Sequence, residues 1–348
     1  MKKRLLKIVP TFVVVILVLA FVQELLMPKY MTDIIEGAMI EEYYDSEKNH
    51  DVIFLGDCEV YENFSPCYLW EKYGISSYVR GSAQQLIWQS YYLLEDTLKY
   101  ETPEVVVFNI MSLMHEGPEN EAYNRMTLDG MRWSSSKWNS IQASMTEGEN
   151  VWEYVFPILR YHTRWSELTA EDFTYLFHRD KVTCEGYYMR VDVRPVTSIP
   201  EPKVLADYSF GDYPMEYLDK MRGLCEEKGI ELVFVKAPSL WPHWYDEWEA
   251  QVDAYAEKYG ITYYNFLELA DTIGIDYSTD TYDAGMHMNL YGAEKMSDYL
   301  GDKLVNVHGV TVRSSDEAYA KIWDAKVEAY HTAIEEAIKE EELKTTEK

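Results

Sequence analysis

The chain has 348 residues, enough for one large domain or two small ones, and its 47% hydrophobic content is sufficient to fill a sizeable core. Its 60 acidic residues outnumber 32 lysines and arginines, which leaves a net charge of -28. Because such a charge repels phosphate backbones instead of releasing their counterions, the composition argues against nucleic acid as a partner.

The N-terminal segment predicts a membrane anchor. Lysines and an arginine within the first seven residues precede an apolar run, Ile8 to Met27, that only a few polar residues interrupt. A spanning helix needs ~20 mostly apolar residues, so the run is just long enough. The basic flank favours a cytoplasmic N-terminus and an exported remainder. A cleaved signal peptide is the alternative, but no Ala-x-Ala site follows the run. We therefore expect a cytoplasmic stub and transmembrane anchor over residues 1–30.

Beyond the anchor, strand and helix patterns alternate, which favours a parallel sheet covered by helices on both faces. The predicted strands are Val52–Leu55, Ser77–Val79, Val105–Ile110, Glu231–Val235 and Thr262–Phe266. The predicted helices between them are Pro66–Tyr73, Gln84–Tyr100, Pro214–Lys228 and Asp246–Tyr259. Three helix-to-strand joints repeat a Lys and Gly-Ile pattern, in which glycine supplies a left-handed cap. These patterns predict one α/β domain over residues 31–310.

A long segment between the third and fourth predicted strands, residues 115–211, interrupts this alternation. It is rich in Trp, Tyr and Arg, and it is too long for an ordinary loop. We predict a mainly helical insertion that covers the ligand end of the sheet. Arg160, His162 and Arg164 within it are expected to pair with carboxylates, with binding of a substrate phosphate as the alternative. Its Trp and Tyr residues are expected to belong to a core, with a platform for sugars as the alternative.

A C-terminal charged helix is predicted within residues 311–348. Apolar residues recur there at helical spacing, from Trp323 through Tyr330 to Ile338. Ser314 and Glu317 match the spacing of a capping box that would begin this helix.

Polar residues concentrate after the predicted strands, at the edge where an open doubly wound sheet binds its ligands. The first strand runs into Gly56-Asp57-Cys58, and the block Asp283-Ala-Gly-Met-His287-Met-Asn289 follows the fifth strand after a short helix. A nucleophile, a base and an orienting acid are therefore available at one edge. Other strand ends contribute Gly81, Asn109 and Lys236. Lys236 is a candidate substrate-binding residue, with solvation of its loop as an equal alternative.

These residues also have structural interpretations. Cys58 alone is typical of a small buried residue at a strand end, and His287 alone of a capping or surface histidine. Their joint occurrence favours a functional interpretation of both. Asp276, Asp280 and Asp283 lack the alternating spacing of calcium ligands in an EF-hand, and the cysteines lack zinc spacing. No metal or other cofactor is therefore expected.

Four cysteines allow two disulfides in an exported protein, with three possible pairings. They are Cys58, Cys67, Cys184 and Cys225. A chain of this size does not need disulfides to build a core, so free thiols are the expected state.

The two motif blocks resemble those of the SGNH (GDSL-type) hydrolase superfamily. Phe54-Leu55-Gly56-Asp57-Cys58 is similar to the first block, with cysteine in place of the nucleophilic serine. Asp283, His287 and the following Asn-Leu-Tyr-Gly-Ala-Glu-Lys helix resemble the last block. The anchor, the aromatic insertion and the Trp88-Gln89-Ser90-Tyr91-Tyr92 helix are most similar to membrane-anchored members of the teichoic-acid D-alanylation protein type. The resemblance covers about Asp51 to Val307 and implies a flavodoxin-like, three-layer α/β/α sandwich.

The resemblance also implies roles for individual residues. Cys58 takes the position of the nucleophile, His287 that of the general base, and Asp283 that of the group that orients the imidazole. The backbone N–H groups of Cys58 and Gly81, together with the Asn109 side chain, would hold the oxyanion. Three departures stand against the family pattern: the thiol, a spacing of four residues between the acid and the histidine where three is usual, and a missing Gly-x-Asn-Asp block.

The implied chemistry is acyl transfer at the cell envelope. A thiol ionises far more readily than a hydroxyl, and the resulting thioester passes its acyl group readily to an amine or hydroxyl. We expect a membrane-anchored, extracytoplasmic esterase or acyltransferase acting on acyl esters of a cell-envelope polysaccharide or teichoic-type polymer. The alternative, favoured by the Ser-to-Cys change, is a catalytically inactive scaffold of the same fold. Such a scaffold would bind the envelope polymer or a membrane-bound acyltransferase.

Overall fold

The computed structural model describes residues 2–28, 36–179 and 181–346, with side chains from residue 9 onward except at 36 and 345. The predicted boundary between anchor and domain, at residue 30, lies outside the described residues. Within them the chain forms a five-stranded parallel sheet with flanking helices and an N-terminal apolar helix, which confirms the predicted fold class. The strands are β1 Val52–Gly56, β2 Ser77–Gly81, β3 Val105–Asn109, β4 Glu231–Lys236 and β5 Thr262–Asn265.

The helices of the described residues fall into three groups along the chain. The first group is α1 Lys2–Leu26, α2 Glu36–Glu42, α3 Cys58–Tyr61, α4 Pro66–Tyr73 and α5 Ile87–Thr97. The insertion contains α6 Glu121–Leu128, α7 Ser135–Ser144, α8 Val151–Val155, α9 Ile158–Tyr161 and α10 Ala170–Tyr175. The last group is α11 Asp212–Lys228, α12 Asp246–Tyr259, α13 Phe266–Ile273, α14 Leu290–Asn306 and α15 Glu317–Thr346. The 3-10 helices are Ile110–Met114 and His162–Ser166.

The sheet has the order β2-β1-β3-β4-β5, and every neighbouring pair is parallel. This is the flavodoxin-like doubly wound order, in which the direction of winding reverses between β1 and β3. Helices therefore lie on both faces, and a crevice opens outside the carboxyl ends of the two central strands. Cys58 comes two residues after the end of β1 and so lies at this crevice.

Two apolar clusters, one on each face of the sheet, form the core because successive strand residues point to opposite faces. Ile53, Leu55, Val106 and Phe108 pack with α5, α11 and α12 on one face. The alternate residues of β1 and β3 point to the other face, where they pack with α3, α4, α13 and α14. These residues are Val52, Phe54, Val105 and Val107.

Local sequence signals predicted most element ends correctly. Gly74, Gly229 and Gly260 cap α4, α11 and α12 in the left-handed conformation, as the repeated joint pattern indicates. Helix α5 begins three residues later than predicted. Gln84 has a φ of 50°, which is incompatible with a right-handed helix at that position.

The insertion has a helical part, α6 to α10, and an extended part between α10 and α11, and the two parts pack against different regions of the protein. In the helical part, α7 packs on α5, α6 packs on α2, and α9 contacts α1. The extended part crosses the carboxyl edge of the sheet: Tyr188 N–H donates to the Tyr61 carbonyl at 2.8 Å, and Arg194 N–H donates to the Thr281 carbonyl at 2.9 Å. The extended part therefore lies across the ligand end of the sheet. The prediction had placed the whole insertion there.

The C-terminal helix α15 packs on α4, and Trp323 stacks on Trp70 with ring centroids 5.4 Å apart. The predicted capping box of Ser314 and Glu317 is wrong. Asp316 performs the capping instead, because its Oδ1 accepts from the N–H of Ala318 at 3.0 Å, inside the first turn.

A disulfide joins Cys67 of α4 to Cys184 of the extended part of the insertion, across 117 residues of sequence. Cys58 and Cys225 are free thiols. The expectation of free thiols is therefore wrong for one pair. Packing of the extended segment against α4 brings these two distant cysteines together, which sequence spacing does not indicate.

Candidate active site

A sharp turn at the end of β1 presents Cys58. Gly56 has a φ of 155°, and a Cβ atom there would lie 2.9 Å from Cβ of Asn109 and would also clash with Val60. Only glycine therefore fits the turn. Asp57 then caps α3 by accepting from the N–H of Glu59 at 3.0 Å, so that Cys58 becomes the first residue of the helix.

His287 and Asp283 form a hydrogen-bonded pair. Nδ1 of His287 lies 2.6 Å from Oδ2 of Asp283, and the other oxygen accepts from the His287 N–H at 2.9 Å. Because an ionised carboxylate only accepts, Nδ1 carries the hydrogen and Nε2 is the acceptor of the neutral ring. Ala284 and Gly285, with φ of 67° and 100°, fold this four-residue segment back on itself.

The free nitrogen of His287 faces the thiol region. Nε2 is buried and, among the described residues, has no hydrogen-bond partner. Cys58 packs against the same apolar cluster as Met288, the residue after His287, and each of Cys58 and His287 shifts the pKa of the other, as expected of neighbouring groups. Asn63 ties their two segments together: its Oδ1 accepts from the Met288 N–H at 3.0 Å, and its Nδ2 donates to the Glu59 carbonyl at 2.9 Å. The structure thus brings all three predicted catalytic residues to one place.

Two further residues contact the imidazole and were not predicted. Oε2 of Glu62 lies 3.4 Å from Nδ1 of His287 and accepts a hydrogen bond from the Tyr282 hydroxyl at 2.7 Å. The Tyr282 ring stacks on the imidazole with an interplanar angle of 14°. Glu62 follows Cys58 by four residues, a spacing that puts both on one helix face, and this signal was available in the sequence.

Burial dominates the ionisation of the site. Although Cys58 is partly exposed as a residue, burial of its thiol raises its pKa to about 11, and the Asp57 carboxylate acts in the same direction against His287. Burial also raises the pKa of Glu62 to about 7, and burial together with Glu59 raises that of Asp57 to about 7. At neutral pH the resting thiol is therefore protonated.

The imidazole shifts toward its charged form. Burial opposes a charge on His287, but the neighbouring Cys58 and Asp283 outweigh burial and raise its pKa well above the usual value. Cys58 contributes to this rise only as a thiolate, so the raised pKa applies to the thiolate–imidazolium pair that follows proton transfer, and the ring beside a protonated thiol can accept that proton. Asp283 shows the complementary effect: burial raises its pKa, while the contact with His287 lowers it further than burial raises it. Asp283 is thus held as a carboxylate, as an orienting group requires.

A buried charged network lies beneath the thiol. Lys236 Nζ donates to Glu59 Oε1 at 3.1 Å, to the Ala237 carbonyl at 2.8 Å and to Ser239 Oγ at 2.7 Å. Ser239 also donates to Glu59. Lys236 is fully buried, so the geometry does not support the predicted substrate contact. Its ammonium neutralises Glu59 and thereby ties the end of β4 to α3.

The two predicted oxyanion residues, Asn109 and Gly81, differ in their surroundings. Nδ2 of Asn109 donates to Glu59 Oε2 at 2.9 Å, and Oδ1 accepts from the Met111 N–H at 2.9 Å, so this side chain is engaged within the protein. Gly81 is the register partner of Gly56, and a Cβ there would lie 3.3 Å from the Asp57 carbonyl. The Gly81 backbone therefore lies directly against the turn that carries Cys58.

Among the described residues, no group of three or more His, Cys, Asp or Glu side chains is arranged to hold a metal ion. Asp280 binds Lys295 at 2.5 Å, and Asp276 accepts from the Ser278 N–H at 2.9 Å. These two carboxylates are thus occupied separately, away from Asp283.

No family model matches the sequence, and no curated protein matches it. Among solved structures, the chain is similar to a G-D-S-L family, lipolytic-type protein from Desulfitobacterium hafniense DCB-2. The identity is 12% and the TM-score 0.37, with 73% of this chain and 98% of that chain covered. A likeness at this level does not identify an activity, so the site is interpreted from its own geometry.

Proposed function

We propose that this protein is a membrane-anchored, extracytoplasmic esterase or acyltransferase that forms an acyl-thioester on Cys58. The observation that carries the proposal is the arrangement around His287. Its Nδ1 is bonded to Asp283 at 2.6 Å, while its buried Nε2 has no hydrogen-bond partner among the described residues. Asn63 ties the segment of His287 to that of Cys58, which leaves this nitrogen available to the thiol. A nucleophile, a base and an orienting acid in this order are the requirement for covalent acyl transfer.

The proposed reaction has two half-steps. Nε2 of His287 accepts the thiol proton while Cys58 Sγ attacks the acyl carbon, and the backbone N–H groups of Cys58 and Gly81 stabilise the oxyanion. The C–O bond of the ester then breaks, and the leaving oxygen takes the proton from the imidazolium. Water or an acceptor hydroxyl attacks the resulting thioester and restores the thiol. Hydrolysis and transfer differ only in that acceptor.

Two features support a location outside the cytoplasm. The Cys67–Cys184 disulfide is of a kind that persists in oxidising compartments. Helix α1 is long and apolar enough to cross a membrane, and its C-terminal end is built into the folded chain. Leu25 and Leu26 are buried, and Arg164 donates to the Leu26 and Met27 carbonyls at 2.8 and 2.7 Å. Because cleavage of a signal peptide would remove these contacts, they favour a retained anchor.

The substrate class follows from the resemblance of the motif blocks: an acylated cell-envelope glycan or teichoic-type polymer, with a membrane-bound acyltransferase as a candidate partner.

The test is acylation of the full-length protein, in detergent, by p-nitrophenyl acetate, followed by peptide mass spectrometry. We expect an acetyl group on Cys58, no adduct in Cys58→Ala, and an unchanged adduct in Cys225→Ala, which removes the other free thiol. His287→Gln should slow labelling at least about 100-fold, as expected for loss of a general base. Equal labelling of wild type and His287→Gln would contradict the proposal.

A non-catalytic scaffold is the second candidate, and two observations favour it. The thiol has a pKa raised to about 11, whereas reactive cysteines usually have lowered values, and the Asn109 amide already binds Glu59. A scaffold predicts no acetyl adduct at any pH. Cys58→Ser adds information within the catalytic proposal: faster ester turnover would mean that sulfur damps the reaction, and slower turnover that the site is adapted to sulfur.

A further inference from the structure

The helical part of the insertion exposes an unusual number of large apolar side chains. We call them the aromatic face: Trp152, Phe156, Leu159, Trp165, Phe173 and Phe177. Trp165 is 72% exposed and Phe177 83% exposed. The prediction of a core is therefore wrong for the exposed tryptophans, although Tyr154, Tyr175 and Tyr187 of the insertion are buried as predicted. Surfaces of soluble monomers seldom display such a group of large apolar residues without a function.

The aromatic face is one structural unit. Trp152 and Phe156 stack with ring centroids 6.1 Å apart, and α8, which carries Trp152, contacts α9. Helix α9 contacts the 3-10 helix His162–Ser166, which carries Trp165. Arg164 of that 3-10 helix binds Asp172 of α10 at 3.2 Å, and Phe173 is the next residue of α10. The helices that carry Trp152, Leu159, Trp165 and Phe173 are therefore linked to one another by direct contacts.

This unit is fixed to the end of the apolar helix. Both α9 and the 3-10 helix contact α1, and the Arg164 guanidinium bonds the carbonyls of Leu26 and Met27, the last of which lies just beyond the helix. Leu25 and Leu26 are buried, in contrast to the exposed residues that precede them along α1. The aromatic face therefore has a set position relative to the C-terminal end of α1.

The length of α1 gives the depth of the aromatic face in the membrane. The apolar stretch Val9–Leu26 has 18 residues, so it is about 27 Å long, close to the about 30 Å of a bilayer core. A spanning α1 thus ends near the hydrocarbon boundary at Leu26. Arg164 lies at the same level because it bonds the Leu26 carbonyl. Tryptophan concentrates at this level in membrane proteins, since its ring is apolar and its N–H is polar.

We infer that the aromatic face lies on the outer leaflet of the membrane, with its tryptophan and phenylalanine rings in the headgroup region. Apolar burial has to provide the attraction, because a net charge of -28 is repelled by anionic lipid. Arg160 and Arg164 within the face are neutralised by Glu121 and Asp172, as predicted from the sequence. The insertion then holds the α/β domain in a fixed orientation on the membrane. This inference rests on the anchor of the proposed function, but not on its acyl chemistry.

The test uses the full-length protein in nanodiscs of phosphatidylcholine that contain a phosphatidylcholine with a diazirine near its headgroup. After irradiation, lipid adducts are mapped by peptide mass spectrometry. We expect adducts in α1 and in residues 152–177, and none in the peptide that contains Val307, which is 63% exposed and lies outside the insertion, at the end of α14. The double variant Trp165→Ser/Phe177→Ser should lose at least about two thirds of the adducts in residues 152–177.

Val307→Ser is the matched control, since it also replaces an exposed apolar residue, and it should leave the adduct pattern unchanged. Because all three side chains are exposed, circular dichroism should show unchanged folding in both variants. Adducts confined to α1 would overturn the inference and assign the aromatic face to a protein partner. A lack of adducts on α1 would also overturn the inference, because it would show that α1 does not span the bilayer. Acetylation of Cys58 in the same nanodiscs reports separately whether the proposed acyl chemistry holds.

Discussion

The buried pair of Glu59 and Lys236 is expected to stabilise both the fold and the position of Cys58. Glu59→Gln would leave the fully buried Lys236 ammonium without a negative partner. Removing one member of a buried ion pair costs about 3–5 kcal/mol, and the retained glutamine acceptor places Glu59→Gln near the lower value. At about 2 °C per kcal/mol for a chain of this size, we expect a loss of roughly 6 °C in melting temperature.

A double variant separates the pair from its surroundings. Lys236→Met in the Glu59→Gln background removes both charges, so the double variant should be more stable than Glu59→Gln alone, with a coupling of at least about 1 kcal/mol. Glu71→Gln is a matched control, because Glu71 is an exposed carboxylate on α4 and its replacement should change stability by less than about 0.5 kcal/mol.

Two measurements check this expectation on the full-length protein in detergent: the melting temperature from circular dichroism, and the rate of acetylation of Cys58. Glu59 is the residue after Cys58, so loss of its contacts should slow acetylation as well as lower stability. Two results would refute the view that the network supports the turn that carries Cys58. One is a double variant whose loss of stability equals the sum of the two single losses; the other is a loss below about 1 kcal/mol in the free energy of unfolding for Glu59→Gln.

Three further predictions concern ionisation and crosslinking. Alkylation of Cys58 by iodoacetamide should rise about tenfold per pH unit from pH 7 to 10, because its pKa is raised to about 11; a plateau below pH 9 would contradict this value. Burial raises the pKa of Glu62 from 4.5 to about 7, so the folded protein binds a proton there more tightly than the unfolded chain does. The resulting stabilisation is complete below pH 4.5 and is lost as the pH rises through 7. Glu62→Gln should therefore reduce the fall in melting temperature between about pH 5 and 8. Cys67→Ala should cost about 3–5 kcal/mol by opening a long loop, whereas Cys225→Ala, which removes a buried free thiol without adding a polar group, should cost under about 2 kcal/mol; equal losses would refute the disulfide's role.

Local sequence signals determined the architecture to a large extent. All five strands lie where runs of apolar and β-branched residues predicted them, and glycine caps end α4, α11 and α12 at the predicted residues. The Asp283–His287 pair was predictable for the same reason, since four residues of a tight loop suffice to bring the two side chains into contact. These features depend on residues that are close in sequence, so neighbouring residue types carry the information.

Contacts between distant residues required the tertiary structure. Glu59 and Lys236 are 177 positions apart, and Cys67 and Cys184 are 117 positions apart, so no local pattern pairs them. The sequence by itself determined that a thiol, an imidazole and a carboxylate would meet at the carboxyl edge of a parallel sheet. Only the folded chain decided that burial raises the pKa of that thiol, that Lys236 serves Glu59, and that the insertion exposes its aromatic residues beside α1. Burial and ion pairing depend on every element packed around a group, which is why they are decided by the fold.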